Sequence, residues 1–286
     1  MGKHARTRRR RILMAVLVLL VAAVATCAAI AWRDTTADPV VRRTSVTLPG
    51  LPPGTPPLRA VLLSDLHVAQ PDMPPERLAR VVAQVNALHP DLVFIVGDLI
   101  SDRYPERWRY SFRDALAPLG GLESRLGTIA VLGNHDHWRN GAEAEVELRR
   151  LGVEVLENTF TRRGPLVIGG FGDAVSGHAR GRALLRALPP EHDATVILSH
   201  TPDVFYRLPR DIPLLLAGHT HCGQIRFPWG GYVQTGSHFG QRYVCGRVDE
   251  NGHTLIVTAG IGTSVISVRF LVKPDFWEVT LLPPKR

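Results

Sequence analysis

The sequence predicts an α/β protein, a two-sheet α/β sandwich behind an apolar N-terminal helix. Three observations lead there. Short continuous apolar runs, such as residues 92–96 and 194–198, read as strands buried on both faces. Residues 74–89 place Leu78, Val81, Val82, Val85 and Leu88 on one face of a helix. The later strands follow one another with fewer helices between them, which suggests a second, more antiparallel sheet.

Residues 12–31 are uncharged, about 20 residues and enough to cross a bilayer as a helix. Arginines crowd in front of them, so the N-terminus is expected in the cytoplasm and the remainder across the membrane. We read residues 1–32 as an uncleaved, single-pass signal anchor at the cell membrane. Two alternatives remain open: a cleaved signal peptide, given the small residues near Ala28, and export by a twin-arginine route through Arg9-Arg10-Arg11. The formal net charge is +8, and Lys3, Arg6, Arg8, Arg9, Arg10 and Arg11 carry six of those charges. Removing those six from +8 leaves +2, so the basicity belongs to the tail and no nucleic-acid binding is expected.

Residues 33–57 form a tether with a lead-in strand over 40–48. The stretch 49–57, rich in Pro and Gly, cannot hold regular structure. The catalytic domain is placed at 58–286. Its strands are expected at 58–64, 92–96, 128–132, 153–156, 166–171, 194–198, 212–217 and 276–282, with a hairpin from 243–248 to 253–258 across Asn251-Gly252. Helices are expected at 74–89, 106–119, 142–151 and 178–188.

The chemistry gathers where strands end. Asp65 and His67 follow the first, Asp98 the second, and Asn134 and His135 the third. His200 and then His219 and His221 follow later ones. Ligands of open α/β sheets bind beyond the carboxyl ends of the strands, so these groups should meet at one edge. Residues i and i+2 of an extended segment face the same side, which suits Asp65/His67 and His219/His221. Imidazoles, carboxylates and one amide oxygen are ligands for divalent transition metals. Seven ligands are too many for one ion and about right for two. Asp98 is then the bridging carboxylate, and the pair of ions would clamp a phosphate and hold a hydroxide for in-line attack.

Asp65-x-His67, Gly97-Asp98, Gly133-Asn134-His135-Asp136, His200 and Gly218-His219-Thr220-His221, in this order, resemble the calcineurin-like metallophosphoesterase superfamily. The wording around His200 and Gly218–Gln224 resembles its bacterial membrane-anchored phosphodiesterase branch. The resemblance implies a four-layer α-β-β-α fold and two divalent ions, with Mn, Fe, Zn and Mg all open. One ion would sit on Asp65, His67, Asp98 and His221, the other on Asp98, Asn134, His200 and His219. His135 would act on the phosphate as a catalytic residue, oriented by Asp136. The implied reaction is single-step hydrolysis of a phosphodiester or pyrophosphate by a metal-bound hydroxide. Two rivals stand beside it. One is a hydrolase of a lipid-linked substrate, such as a UDP-2,3-diacylglucosamine-type pyrophosphatase. The other is a membrane-tethered metal-binding scaffold.

Three irregular loops, 70–75, 101–109 and 227–241, are candidates for substrate contact. His137, His238 and the loop Gly260–Ser264 are candidates for the mouth of the site. No C-x-x-C occurs, so no thiolate zinc site is expected; Cys222 and Cys245 are read as free thiols, with a single bridge between them as the alternative if the domain is exported.

Overall fold

The computed structural model describes residues 2–102, 105–190 and 194–285. Helix α1, Gly2–Thr36, contains the apolar run. It is long and apolar enough to cross a membrane, and none of its apolar window is buried against the rest of the chain.

Among the described residues, twelve strands form two six-stranded sheets. The first runs β1 (Val40–Thr47), β12 (Asp275–Leu282), β2 (Leu58–Leu63), β3 (Leu92–Val96), β4 (Thr128–Val131), β5 (Val153–Val155). The second runs β10 (Gly246–Glu250), β11 (His253–Val257), β9 (Leu214–Ala217), β8 (Thr195–Leu198), β7 (Leu166–Gly170), β6 (Thr159–Arg163). Only β12–β2 is antiparallel in the first sheet. In the second, only the outer pairs β10–β11 and β6–β7 are. The second sheet is thus parallel at its centre, where one short helix and 3-10 turns take the place of long crossover helices.

Apolar side chains alternate across each strand and fill three layers. Between the sheets lie Leu62, Phe94, Val96 and Ile129 against Ile168, Val196, Leu216 and Ile256. The outer face of the first sheet packs Val61, Val93 and Ile95 on α2 (Pro75–Asn86), α3 (Phe112–Leu116) and α4 (Asn134–Arg150). The outer face of the second packs Val167, Ile197 and Leu215 near α5 (Gly181–Ala187). The order of layers is therefore α-β-β-α.

Several local expectations change. The strand expected at 40–48 does form, as an edge strand of the first sheet, paired with β12 from Val40↔Asp275 to Thr47↔Leu282. The helix expected at 106–119 is broken into a 3-10 turn at Glu106–Trp108, α3, and another turn at Ala117–Gly121. Pro118 and the pair Gly120-Gly121 account for its early stop. Strand β6 is an addition, because Arg162 and Arg163 hide a short edge strand. Helix α4 starts at Asn134, so the Gly-Asn-His-Asp stretch is the first turn of a helix rather than a free turn; a kink follows at Asn140. Cys222 and Cys245 form a disulfide, so the alternative of a bridge holds and the favoured reading as free thiols does not. They are distant in sequence, and only the folding of 222–245 over the second sheet brings their Cα atoms to 4.7 Å.

Candidate metal centre

The central parallel strands of both sheets end at one place. Asp65 N–H donates to the Gly97 carbonyl and His67 N–H to that of Asp98, so the segments after β2 and β3 remain paired. Across the gap between sheets, His219 N–H donates to both Asp65 oxygens at 2.9 and 3.1 Å. Asp65, His67, Asp98, His219 and His221 all have positive φ, from 44° to 69°. Five non-glycine residues in the left-handed region at one edge are strain that the surrounding contacts must hold. Gly97 and Gly133 allow the close approach: a Cβ on Gly97 would lie 2.5 Å from Gly133 N and 2.8 Å from His200 Nδ1.

The ligand atoms form two groups joined at Asp98. In one, His221 Nε2 lies 3.1 Å from His67 Nε2 and 3.3 Å from Asp65 Oδ1. Asp98 Oδ2 is 3.4 Å from His67 Nε2 and 3.1 Å from His200 Nε2, so it faces both groups. In the other, His219 Nδ1 is 3.1 Å from His200 Nε2. Asn134 is buried, and its Oδ1 has no hydrogen-bond partner among the described residues. A buried amide oxygen left so costs about 1–3 kcal/mol, a cost that a cation would remove. His200 donates Nδ1–H to the Val96 carbonyl at 2.8 Å, since a carbonyl only accepts; this turns Nε2 inward. The donor set therefore fits divalent cations. The structure brings together six of the seven residues expected as ligands, and it buries the seventh, Asn134, directly after Gly133, which lies against Asp98 and His200.

The electrostatics agree. Burial alone would raise the Asp98 pKa, but His200, His135 and His67 hold it well below the usual carboxylate range. Burial lowers His200, yet the Asp98 carboxylate overcomes this and lifts it to about 10. Burial drops His67 to about 3 and His219 to about 4, and it raises Asp65 to about 6. A cation therefore meets neutral imidazoles at His67 and His219, an ionised central carboxylate at Asp98, and a protonated His200 whose proton it must displace.

His135 lies beside this cluster. Its backbone N–H donates to Asp98 Oδ1 at 2.9 Å, and its Nε2 is 3.9 Å from Asp98 Oδ2. The expected orienting partner is not Asp136. That carboxylate accepts Gly133 N–H and Leu99 N–H, each at 2.9 Å. Asp136 is the third residue of α4, from which an acidic side chain reaches back to the helix N-terminus. Burial raises its pKa to about 7. The ring of His135 instead contacts the Asp102 carboxylate through Nδ1, and Ser264 Oγ lies 3.3 Å from Nε2. Sequence reading missed Asp102; the one available signal was an acid four residues after Asp98. It also missed Arg269, fully buried, whose guanidinium donates to the Ala259 and Gly262 carbonyls and lies 3.4 Å from His221 Nδ1.

Other candidates stand apart. The Gly260–Ser264 loop does lie beneath the ligands: Ile261 N–H and Gly262 N–H donate to the Asp65 carbonyl. His137 stacks on His178 with ring centroids 3.7 Å apart. His238 is exposed, and its backbone N–H donates to Asp203. Of the expected loops, residues 103–104 within 101–109 lie outside the described residues.

Comparison with known proteins places this geometry. The calcineurin-like phosphoesterase family matches residues 58–223. The chain is 31% identical over 242 residues to a transmembrane protein with metallophosphoesterase domain from Danio rerio, covering 78% of this chain and 53% of that one. It is 31% identical over 242 residues to the phosphodiesterase YaeI of Escherichia coli, covering 79% of this chain and 82% of the relative. Against the longer relatives the chain spans about half their length. A 5'-nucleotidase precursor from Thermus thermophilus aligns with a TM-score of 0.46 at 14% identity, over 79% of this chain and 54% of that one. With both sheets' strand ends converging on the motif residues and the family matched across most of them, the chain belongs to the calcineurin-like phosphoesterase family.

Proposed function

We propose that this chain is a membrane-anchored, metal-dependent hydrolase of phosphodiester or pyrophosphate bonds, with two divalent ions at the strand ends. The observation that carries the reading is the position of Asp98. One buried carboxylate oxygen faces His67 at 3.4 Å and His200 at 3.1 Å, joining the two ligand groups. Asp65, His67, Asp98 and His221 would hold one ion. Asp98, Asn134, His200 and His219 would hold the other. Such ions supply phosphoryl polarisation and an activated water at neutral pH.

The chain's own residues supply the rest. Asp102 fixes the His135 ring through Nδ1, which leaves Nε2 to hold a proton toward the phosphate or the departing oxygen. Asp102 also stabilises the imidazolium when both nitrogens are protonated. Ser264 limits the swing of that ring from the far side. Asp136 acts at one remove, tying β4's end to the segment after β3. Family membership and the phosphodiesterase relative support a phosphodiester substrate. The exposed apolar window of α1 supports an anchor. The arginines before that window support a catalytic domain on the far side of the membrane.

The test is hydrolysis of bis(p-nitrophenyl) phosphate by the full chain in detergent with Mn, Fe, Zn or Mg. Turnover that depends on the cation and is lost in Asp98→Ala is expected. No turnover with any of these ions would overturn the reading.

A further inference from the structure

Among the described residues outside α1, six of the eleven exposed large apolar side chains fall in two segments bonded to each other, while Val40, Trp138, Val146, Val175 and Tyr206 lie elsewhere. Phe227, Trp229 and Val233 lie in one segment, and Val265, Ile266 and Leu271 in another. Trp229 is 83% exposed, and Phe227 stacks on it at 5.2 Å. Leaving an indole and its neighbours in water is unfavourable, and exposed apolar side chains gathered in this way mark an interaction surface. The two segments form one surface: Arg226 N–H donates to the Phe270 carbonyl and Phe270 N–H to that of Gln224. The Gln224 amide also donates to the Ser264 and Ile266 carbonyls.

That surface is joined to the end of α1. Asp34 and Thr35 are buried. Leu271 N–H donates to Asp34 Oδ2 at 3.0 Å, and Arg269 N–H donates to Thr35 Oγ1 at 2.7 Å. Val265 and Leu271 have φ of 68° and 57°, and for a β-branched valine this is strained. The strain is spent on exposing apolar groups, not on burying them. Beside the same junction a cavity of about 370 Å³ is lined by Arg33, Arg42, Arg226 and Lys273, against the carboxylates of Asp34 and Asp275. Aromatic and aliphatic tips next to Arg and Lys form the mixture that sits at the boundary between headgroups and acyl chains.

We propose that segments 227–233 and 265–271 are a bilayer-docking surface, seated in the headgroup layer of the membrane that α1 enters, with the basic cavity facing anionic headgroups. The inference rests on reading α1 as the anchor. The occupant follows from continuity: a helix that crosses the bilayer and ends at Asp34 and Thr35 holds the attached loops at the membrane surface. Segment 264–271 runs from Ser264, beside His135, to the end of α1. The rim of the metal centre therefore rests on the bilayer.

The test uses the full chain in nanodiscs of phosphatidylcholine and phosphatidylglycerol, with and without brominated acyl chains. Bromine quenches indoles that reach it. The Trp229 signal is taken as the difference between the protein and Trp229→Phe, and the Trp32 signal likewise from Trp32→Phe. Loss of the Trp229 signal in brominated discs is expected, together with loss of the Trp32 signal. Loss at Trp32 with Trp229 unquenched overturns the docking surface and leaves the anchor standing. A Trp229 signal shielded from acrylamide yet unquenched by bromine overturns it in favour of a second copy of this chain. Neither signal quenched means that α1 is not inserted, and the inference falls with the anchor. Trp229 is mostly in water in this fold, so its substitution leaves folding intact.

Discussion

Asp102, not the adjacent Asp136, holds the imidazole of His135: its carboxylate meets His135 Nδ1, while Asp136 gives its two oxygens to the backbone N–H groups of Gly133 and Leu99. Two acids near one histidine thus have different work, which different substitutions separate. Asp102→Asn should lower turnover about 10–100-fold and change the pH profile, with cation content intact. Asp136→Asn should instead lower stability by about 1–3 kcal/mol, since an amide nitrogen cannot accept a buried N–H. Turnover against pH, and chemical unfolding of each variant, would decide. Equal effects of the two on both measurements would contradict this division.

Asp98 and His135 should also separate. Asp98→Ala removes the carboxylate that faces both ligand groups and should abolish cation loading measured by elemental analysis. His135→Ala should retain the cations and slow turnover about 10²–10⁴-fold. Equal cation loss in both would reassign His135 as a ligand.

Cation affinity should rise with pH in a stated manner. His200, lifted to about 10 by Asp98, binds a proton that a cation must displace. Between about pH 7 and 9 the apparent affinity should therefore rise ~10-fold per pH unit. Below about pH 6 Asp65 is protonated as well, so the slope should steepen there. The linked stability has a definite sign. A raised His200 pKa stabilises the cation-free fold below its unfolded value near 6.5, and this is lost as pH rises through about 10. Calorimetric titration with Mn across this range checks the slope; a flat profile would show that His200 is not displaced.

The Cys222–Cys245 bridge closes a segment with a sequence separation of 23. By loop-closure entropy it should contribute about 3 kcal/mol. Cys222→Ser with Cys245→Ser should lower the melting temperature, and reductant should shift the parent protein toward the same value. Reductant that leaves the parent's melting temperature unchanged would contradict the bridge.

Much of the metal centre was legible in the sequence because strand–turn chemistry is local. Short apolar runs located β2, β3, β4, β8 and β9, and the polar groups directly after them are the ones that meet and could hold a metal ion. The same locality misled at Asp136. Adjacency to His135 suggested a pair, but the start of α4 turns that side chain back toward Gly133.

The sequence by itself determined the α/β class, the apolar N-terminal helix and which residues reach the strand ends, since each follows from periodicity over a few neighbours. Only the tertiary structure decided what depends on crossing the chain. Asp102 lies 33 residues from His135, Cys222 lies 23 from Cys245, and Arg269 lies 234 from Thr35. No local pattern encodes such separations, because they are set by how two sheets, each closed by distant strands, pack face to face. The junction of α1 with the rim of the metal centre belongs to this second kind.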